Sequence, residues 1–170
     1  IADDIISINS FSKYFNMTGW RLGWMVVPEQ LVPVIERLAQ NLFICASTIA
    51  QHAALACFEP DSIAEYERRR AAFKARRDYF IPELQQLGLN VPVMPDGAFY
   101  AWADGTQAAT RLGVQGSWDL AYALMDRAHL AVTPGRDFGT HEPERFLRFS
   151  TASSMDHLQE AVRRLRALLA

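Results

Sequence analysis

The spacing of apolar residues predicts two strands and two helices in the first part of the chain. Two short apolar runs, residues 5–9 and residues 22–27, have the length and composition of buried strands. A helix then begins at Pro28, and its apolar side chains recur at helical spacing. These positions are Leu31, Ile35, Leu38 and Leu42. A second, Ala-rich helix is predicted over residues 46–58, so the segment as a whole is typical of a βαβ-like unit.

A long amphipathic helix follows and is the clearest element in the pattern. A series of positions at alternating spacings of three and four carries Ile63, Tyr66, Phe73, Phe80, Leu84 and Leu87, with Arg70 and Arg77 at its two remaining positions. Gly88 predicts where the helix ends, and Pro82 predicts a kink or the loss of its last turn. The basic run over residues 68–77 lies among acidic residues, which is typical of a solvated helix face and not of a nucleic-acid site.

Beyond Gly88 the pattern changes to the short elements of an α+β unit. Strands are predicted over residues 89–93, 98–102, 129–133 and 146–150. A helix is predicted over residues 117–128. A final helix begins at a capping box formed by Ser153 and Asp156.

Composition narrows the possible functions. The chain has 170 residues, of which 50% are hydrophobic, and this is enough for a real core. Its net charge of −2 gives no reason to expect a nucleic-acid partner, and no apolar run reaches the ~20 residues of a membrane span. We interpret Cys45 and Cys57 as buried small residues without a disulfide, and no Cys/His cluster predicts a metal site. We therefore expect a cytoplasmic protein.

The scarcity of lysine directs attention to one segment. Only two of the 17 basic residues are lysines, Lys13 and Lys74. Lys13 follows a predicted buried strand, where poor solvation and a nearby cation would favour the neutral, nucleophilic amine. The neighbouring hydroxyls and Arg21 would suit a phosphate, and a lysine beside a phosphate is what a Schiff-base cofactor enzyme needs. On these residues alone, the simpler interpretation is that Lys13 is a surface loop residue and that Arg21 pairs with a local acid.

The segment around Lys13, SFSKYFNMTGWRLGW, resembles the lysine segment of the class I/II aminotransferases, which are fold-type I pyridoxal-phosphate enzymes. Three further stretches resemble the family in the same order along the chain. They are PDGAFY at residues 95–100, VTPG and FG within residues 132–139, and FLRFS at residues 146–150. The resemblance covers essentially the whole chain and corresponds to the carboxyl-terminal part of a longer protein.

The resemblance implies an α/β fold class, in which the end of the large cofactor-binding α/β domain precedes a small α+β carboxyl-terminal domain. On this basis we expect residues 1–45 to be the remnant of the large domain, residues 46–62 to form a connecting helix and residues 63–170 to form the small domain. The resembling enzymes are completed by a second subunit, so the expected partner is a second copy in a homodimer.

The resemblance also implies a role for each candidate site residue. Lys13 would hold pyridoxal 5'-phosphate as a Schiff base and, once released, move the proton at the substrate Cα. Ser10 and Arg21 would bind the cofactor phosphate, and Ser12 is a weaker candidate whose hydroxyl could serve only to fix the turn. Arg148 would bind the substrate α-carboxylate as a bidentate pair. Without the resemblance, an arginine that meets a surface acid is the simpler interpretation of Arg148.

Substrate choice stays open. The family's acid for the pyridine nitrogen and its ring-stacking aromatic residue would both come from upstream of Ile1. Residues 44–48 lack the second arginine that one dicarboxylate-specific version of the family carries there. We expect the full protein to transfer an amino group between an amino acid and a 2-oxo acid, with the aspartate or aromatic type as the candidate, and this fragment alone to be inactive. A carbon-sulfur lyase of the same fold and a non-catalytic folding or dimerisation fragment are the alternatives.

Overall fold

The computed structural model describes residues 4–170. The chain forms two units, Ile1–Arg70 and Ala71–Ala170, and the boundary between them falls within one long helix. The expected division into a large-domain remnant, a connecting helix and a small domain stays a prediction. None of the described helices is both long and apolar enough to cross a membrane.

The first unit contains a two-stranded sheet. Its strands, β1 (Ser7–Ser10) and β2 (Gly23–Val26), are antiparallel. The helices that follow are α1 (Val32–Leu42), α2 (Thr48–Leu55) and the first part of α3 (Pro60–Gln86). The predicted βαβ-like arrangement is wrong here, because the chain passes from β1 to β2 through the loop of residues 11–22 and the strands run in opposite directions.

The apolar residues of this sheet are exposed, although the sequence predicts buried strands. Ile8 on β1 keeps 78% of its surface accessible and Met25 on β2 keeps 49%. A strand is buried only when another layer packs on its face, and the described residues place the core of this unit elsewhere. That core lies between the loop and α2 and consists of Phe11, Met17, Leu22, Ala50, Ala54 and Cys57.

The two cysteines differ in their surroundings. Both are free thiols, which confirms the prediction that they do not form a disulfide. Cys57 is buried, with its Sγ 3.2 Å from the Sδ of Met17. Cys45 is exposed, and the expectation that it is buried is wrong, because it lies in the turn after α1 and outside the core cluster.

The long helix α3 confirms the predicted solvated face. Arg68 and Arg69 both pair with Glu65 at 2.7 Å, and Lys74 pairs with Asp78 at 2.6 Å. Hydrogen bonds from the two arginines lower the pKa of Glu65 to about 2. The helix continues past its internal proline to Gln86, so the predicted loss of the last turn is wrong.

The second unit is built on a three-stranded antiparallel sheet in the order β3 (Tyr100–Asp104), β5 (Phe146–Ser150), β4 (Thr133–Pro134). The helices of this unit, besides the end of α3, are α4 (Thr106–Leu112), α5 (Gly116–Ala128) and α6 (Met155–Leu169). Alternate residues of β3 and β5, such as Ala101 and Leu147, point into a core that these helices complete. The observed architecture is therefore the expected α/β class with a small α+β portion.

Three local predictions in this unit are wrong. The strand predicted over residues 129–133 is limited to Thr133–Pro134. Residues 89–93 form no strand, because their ladder contact is limited to a single bridge between Asn90 and Asp104. The α6 helix is capped by Ser154 and not by Ser153, since the Oγ of Ser154 accepts a hydrogen bond from His157 N over 3.3 Å.

Candidate active site

The lysine loop, defined here as Ser10 at the end of β1 together with the following residues 11–22, carries Lys13 and leads to β2. Two backbone hydrogen bonds close the loop at its base: Phe11 N donates to Leu22 O over 3.1 Å, and Met17 N donates to Phe11 O over 3.0 Å. The side chains of these three residues belong to the buried core of the first unit. Buried apolar residues therefore anchor the loop, while the polar residues between them face outward.

Lys13 lies at a tight turn of this loop. Asn16 N donates to Lys13 O over 3.0 Å, and Asn16 takes a left-handed conformation with a φ of 56°. Lys13 itself is exposed. The poor solvation expected from the sequence is therefore absent among residues 4–170, because the strand that Lys13 follows is not buried either.

A series of hydrogen bonds connects the residues that the sequence assigns to a phosphate site. The amide of Ser12 donates to Ser10 Oγ over 3.1 Å, and Thr18 Oγ1 donates to Ser12 O over 2.6 Å. Arg21 Nη1 then donates to Thr18 O over 2.8 Å. Ser10, Ser12 and Arg21 thus belong to one connected loop structure. The alternative in which Arg21 pairs with a local acid is wrong for the described residues, because its partner is a backbone carbonyl.

These contacts leave hydrogen-bond donors for an anion. Ser10 Oγ accepts from an amide in the described structure, so its hydroxyl proton remains able to donate. Arg21 uses Nη1 inside the loop, and its Nε and Nη2 make no hydrogen bond within residues 4–170. Ser12 contributes its amide and its carbonyl to the turn, so its backbone and not its hydroxyl fixes the loop.

Tyr14 links the lysine loop to α3, which sequence reasoning missed. Its hydroxyl donates to Glu67 Oε1 over 2.7 Å, and its ring centroid lies 5.3 Å from that of Tyr66. The hydrogen bond to Glu67 is the main reason why the pKa of Tyr14 is raised. Hydrogen bonds from Arg70, and then from Tyr14, lower the pKa of Glu67. No local pattern could have revealed this contact, since Tyr14 and Glu67 are 53 residues apart.

Arg148 belongs to the second unit and lies on the sheet face opposite the core. It is the middle residue of β5 and stands directly across from Trp102 on β3. The alternation of the two strands brings Tyr100 to the same face. The Cζ atom of Arg148 lies over the ring of Tyr100, 4.3 Å from its centroid, and over the ring of Phe138, 4.5 Å from its centroid.

Arg148 contacts aromatic rings and not a surface acid, which was the alternative interpretation of its sequence. Its Nη2 donates to Thr133 Oγ1 over a long distance of 3.4 Å. Arg148 forms no ion pair within residues 4–170, whereas its neighbour Arg145 pairs with Asp104 at 2.8 Å. The interpretation of Arg148 as an arginine paired to a surface acid is therefore wrong for the described chain.

The local backbone requires glycine at two positions close to this face. A Cβ on Gly135 would collide with the carbonyl oxygens of Pro143 and Phe146, so only glycine fits beside β5. Gly139 takes a φ of 142°, which L side chains rarely adopt.

Across residues 4–170 we find no group of three or more His, Cys, Asp or Glu side chains arranged to hold a metal ion.

The chain is similar to known proteins in both sequence and structure. The family profile described as "Aminotransferase class I and II" matches residues 2–165. A valine–pyruvate aminotransferase from Mycobacterium tuberculosis is 35% identical over 166 residues, which are 96% of this chain and 41% of that protein. A protein named "Probable aspartate/prephenate aminotransferase", from Aquifex aeolicus, is 38% identical over 165 residues, which are 96% of this chain and 40% of that protein.

The fold agrees with these sequence matches. The crystal structure of an aminotransferase from Mycobacterium tuberculosis superposes with a TM-score of 0.91 at 34% identity, covering 99% of this chain and 42% of that one. The chain therefore spans about two fifths of the length of the relatives it matches. Because the family profile covers nearly every residue and includes both the lysine loop and the strand of Arg148, this chain belongs to the class I and II aminotransferase family.

Proposed function

We propose that this chain is the carboxyl-terminal part of a pyridoxal-phosphate-dependent enzyme that transfers an amino group between an amino acid and a 2-oxo acid. The observation that carries the proposal is the lysine loop, in which Ser10, Lys13 and Arg21 lie within one hydrogen-bonded segment that the family profile covers. The named relatives support an amino-group transfer, since each is called an aminotransferase.

The donors of the lysine loop fit the cofactor of this family. Class I and II aminotransferases depend on pyridoxal 5'-phosphate, whose phosphate is an anion with several acceptor oxygens. A guanidinium and a hydroxyl with free protons suit such a group, because both form charge-assisted hydrogen bonds to phosphate oxygens. In this proposal Arg21 and Ser10 bind the phosphate, and Ser12 stays the weaker candidate that the family resemblance implies.

Lys13 and Arg148 act on the substrate in this proposal. When bound, the cofactor supplies an electron sink that stabilises negative charge at the substrate Cα. Lys13 Nζ would move the proton from the Cα of the amino acid to C4' of the cofactor, and would move a proton in the opposite direction when the 2-oxo acid takes up the amino group, which is general acid/base work by an amine. Arg148 binds the substrate α-carboxylate with two parallel N–H groups and so orients the Cα.

The proposal is tested on the full-length protein that carries this chain. With pyridoxal phosphate added, we expect a visible absorbance band and amino transfer that depends on a 2-oxo acid. The Lys13→Ala variant should lose both the band and the turnover. The matched control is Lys74→Ala, because Lys74 is the other lysine and pairs with Asp78 on α3. Lys74→Ala should retain both signals.

Two other results would overturn the proposal. Release of ammonia and pyruvate without a 2-oxo acid would identify a carbon-sulfur lyase of the same fold. A full-length protein that neither binds the cofactor nor turns over would favour a folding or dimerisation role. The expected homodimer and the cytoplasmic location belong to the same proposal, and sedimentation of the full-length protein and fractionation of its cells would test them.

A further inference from the structure

An arginine that binds a substrate carboxylate has to be held in place without being neutralised. A protein carboxylate would orient the guanidinium, but it would also compete with the substrate for the same N–H groups. Two nearby arginines are held in that way: Arg136 pairs with Glu144 at 2.7 Å and Arg145 pairs with Asp104 at 2.8 Å. Arg148 is half-buried and has no such partner among the described residues.

Two aromatic rings hold Arg148 in place of an acid. The guanidinium carbon lies over the faces of Tyr100 and Phe138, at 4.3 Å and 4.5 Å from the ring centroids, which is well within cation–π range. Tyr100 is fixed by β3 and Phe138 by the short 3-10 turn Gly135–Phe138. Rings over a guanidinium orient it by dispersion and by the ring quadrupole, and they leave its positive charge uncompensated.

The edge of the guanidinium stays available for a ligand. Only Nη2 has a hydrogen-bond partner within residues 4–170, namely Thr133 Oγ1 at 3.4 Å. The Nε and Nη1 groups have no hydrogen bond to any described residue. A carboxylate can approach this edge in the guanidinium plane, which is the geometry of a bidentate pair.

We propose that Tyr100 and Phe138, here called the aromatic clamp, are positioning residues that hold Arg148 for the α-carboxylate of the substrate. This inference rests on the proposed function, because it concerns the same binding site. The clamp acts on recognition of the carboxylate, and Lys13 carries the proton transfer.

The clamp is tested in the full-length, cofactor-loaded enzyme by removing each ring. Tyr100→Leu and Phe138→Leu should each raise the KM for the amino acid about 3- to 10-fold, which is the range expected for a cation–π contact. The kcat and the affinity for pyridoxal phosphate should stay within about twofold. Tyr100→Phe keeps the ring and should restore the normal KM. Phe138 is 45% exposed, so its variant is expected to fold.

A second substrate separates positioning from general structural damage. The amine that corresponds to the amino acid without its carboxylate cannot use Arg148, so the clamp variants should react with it as fast as the unmodified enzyme does. The matched control is Trp118→Leu, which removes a ring 4.5 Å from the guanidinium carbon of a different arginine, Arg136. Trp118→Leu should leave the KM for the amino acid unchanged.

The outcomes distinguish this inference from the proposed function. If Arg148→Ala impairs amino-acid binding but both clamp variants keep a normal KM, the clamp is wrong and the proposed function stands. If the clamp variants slow the reactions with the amino acid and with the amine equally, the rings have only a structural role, and the proposal that they position Arg148 is again wrong. If the unmodified full-length protein performs no amino transfer, the proposed function itself fails.

Discussion

The two units of this chain hold their candidate residues by different physical means. In the first unit, hydrogen bonds shape the lysine loop above a small core, while large apolar residues remain exposed: Ile8 at 78%, Leu42 at 76% and Ile44 at 80%. In the second unit, Arg148 lies on a sheet whose opposite face closes an extensive core, with Leu84 and Leu147 fully buried.

This difference shows which of the two candidate regions has its contacts within the described residues. The sheet face around Arg148 has its contacts within the described residues, since the rings and the hydroxyl that touch the guanidinium all belong to the second unit. The lysine loop has its hydrogen bonds but lacks burial around Lys13. The proposed amine chemistry therefore needs shielding from groups outside the described residues.

The largest expected effect comes from removing either of two arginines in the full-length enzyme. Arg148→Ala should raise the substrate KM and lower kcat/KM, because a bidentate charged contact is lost. The fall in kcat/KM should correspond to roughly 2–5 kcal/mol of lost binding free energy, while cofactor binding survives. Arg21→Ala should weaken binding of pyridoxal phosphate and leave the substrate KM normal once the cofactor is saturating. Cofactor titration and steady-state kinetics measure both effects. If Arg148→Ala lost the cofactor instead, its assignment would be wrong.

A stability experiment on this chain compares a buried leucine of the second unit with an exposed leucine of the first unit. Leu147 is fully buried, so Leu147→Ala should lower the free energy of unfolding by about 3 kcal/mol through lost packing and a cavity. Leu38 lies on α1 and is 55% exposed, so Leu38→Ala should cost less than about 0.5 kcal/mol. Urea denaturation followed by circular dichroism measures both variants. Equal losses would contradict the contrast between the two units.

A smaller, pH-dependent effect is expected at the end of β3. Burial tends to raise the pKa of Asp104, but hydrogen bonds from Thr106 and Arg145 outweigh it and hold the pKa below its ordinary value. A carboxyl with a lowered folded pKa stabilises the fold above its unfolded pKa, and that stabilisation is lost as the pH falls through the folded pKa. Asp104→Asn should therefore cost about 1–2 kcal/mol at pH 7 and progressively less in acid. Chemical unfolding at several pH values measures this, and a pH-independent cost would exclude the ionic explanation.

The smallest effect concerns the contact between the lysine loop and α3. Tyr14 donates a hydrogen bond to Glu67, which raises the pKa of the phenol. The protonated phenol therefore stabilises the fold below the unfolded pKa, and this contribution is lost as the pH rises through the folded pKa. Glu67→Gln should bring the pKa of Tyr14 back toward its ordinary value with little change at neutral pH. Ultraviolet titration, with Tyr14→Phe to assign the signal, would detect it; an unchanged titration would mean that the contact is not formed in solution.

The sequence by itself determined the elements whose pattern is local. The strand Phe146–Ser150 was predicted with its observed bounds, and the prediction for α5 differs by one residue, because side-chain periodicity records which face is apolar. The prediction of α3 and of its end near Gly88 also held, although the helix does not lose its last turn at Pro82. The choice of Lys13, Ser10, Ser12, Arg21 and Arg148 as candidates likewise came from short segments, and their roles stay predictions.

Only the tertiary structure decided what surrounds those residues. Periodicity predicted apolar strands around residues 5–9 and 22–27, but burial depends on whether another layer packs on them, and none of the described residues supplies one. The partners of Arg148 come from Tyr100 on a neighbouring strand and Phe138 in a separate turn, and Tyr14 meets Glu67 across 53 residues. Contacts of this kind depend on how distant segments pack, which local spacing does not encode, so the sequence identified the reactive groups and the fold determined what holds them.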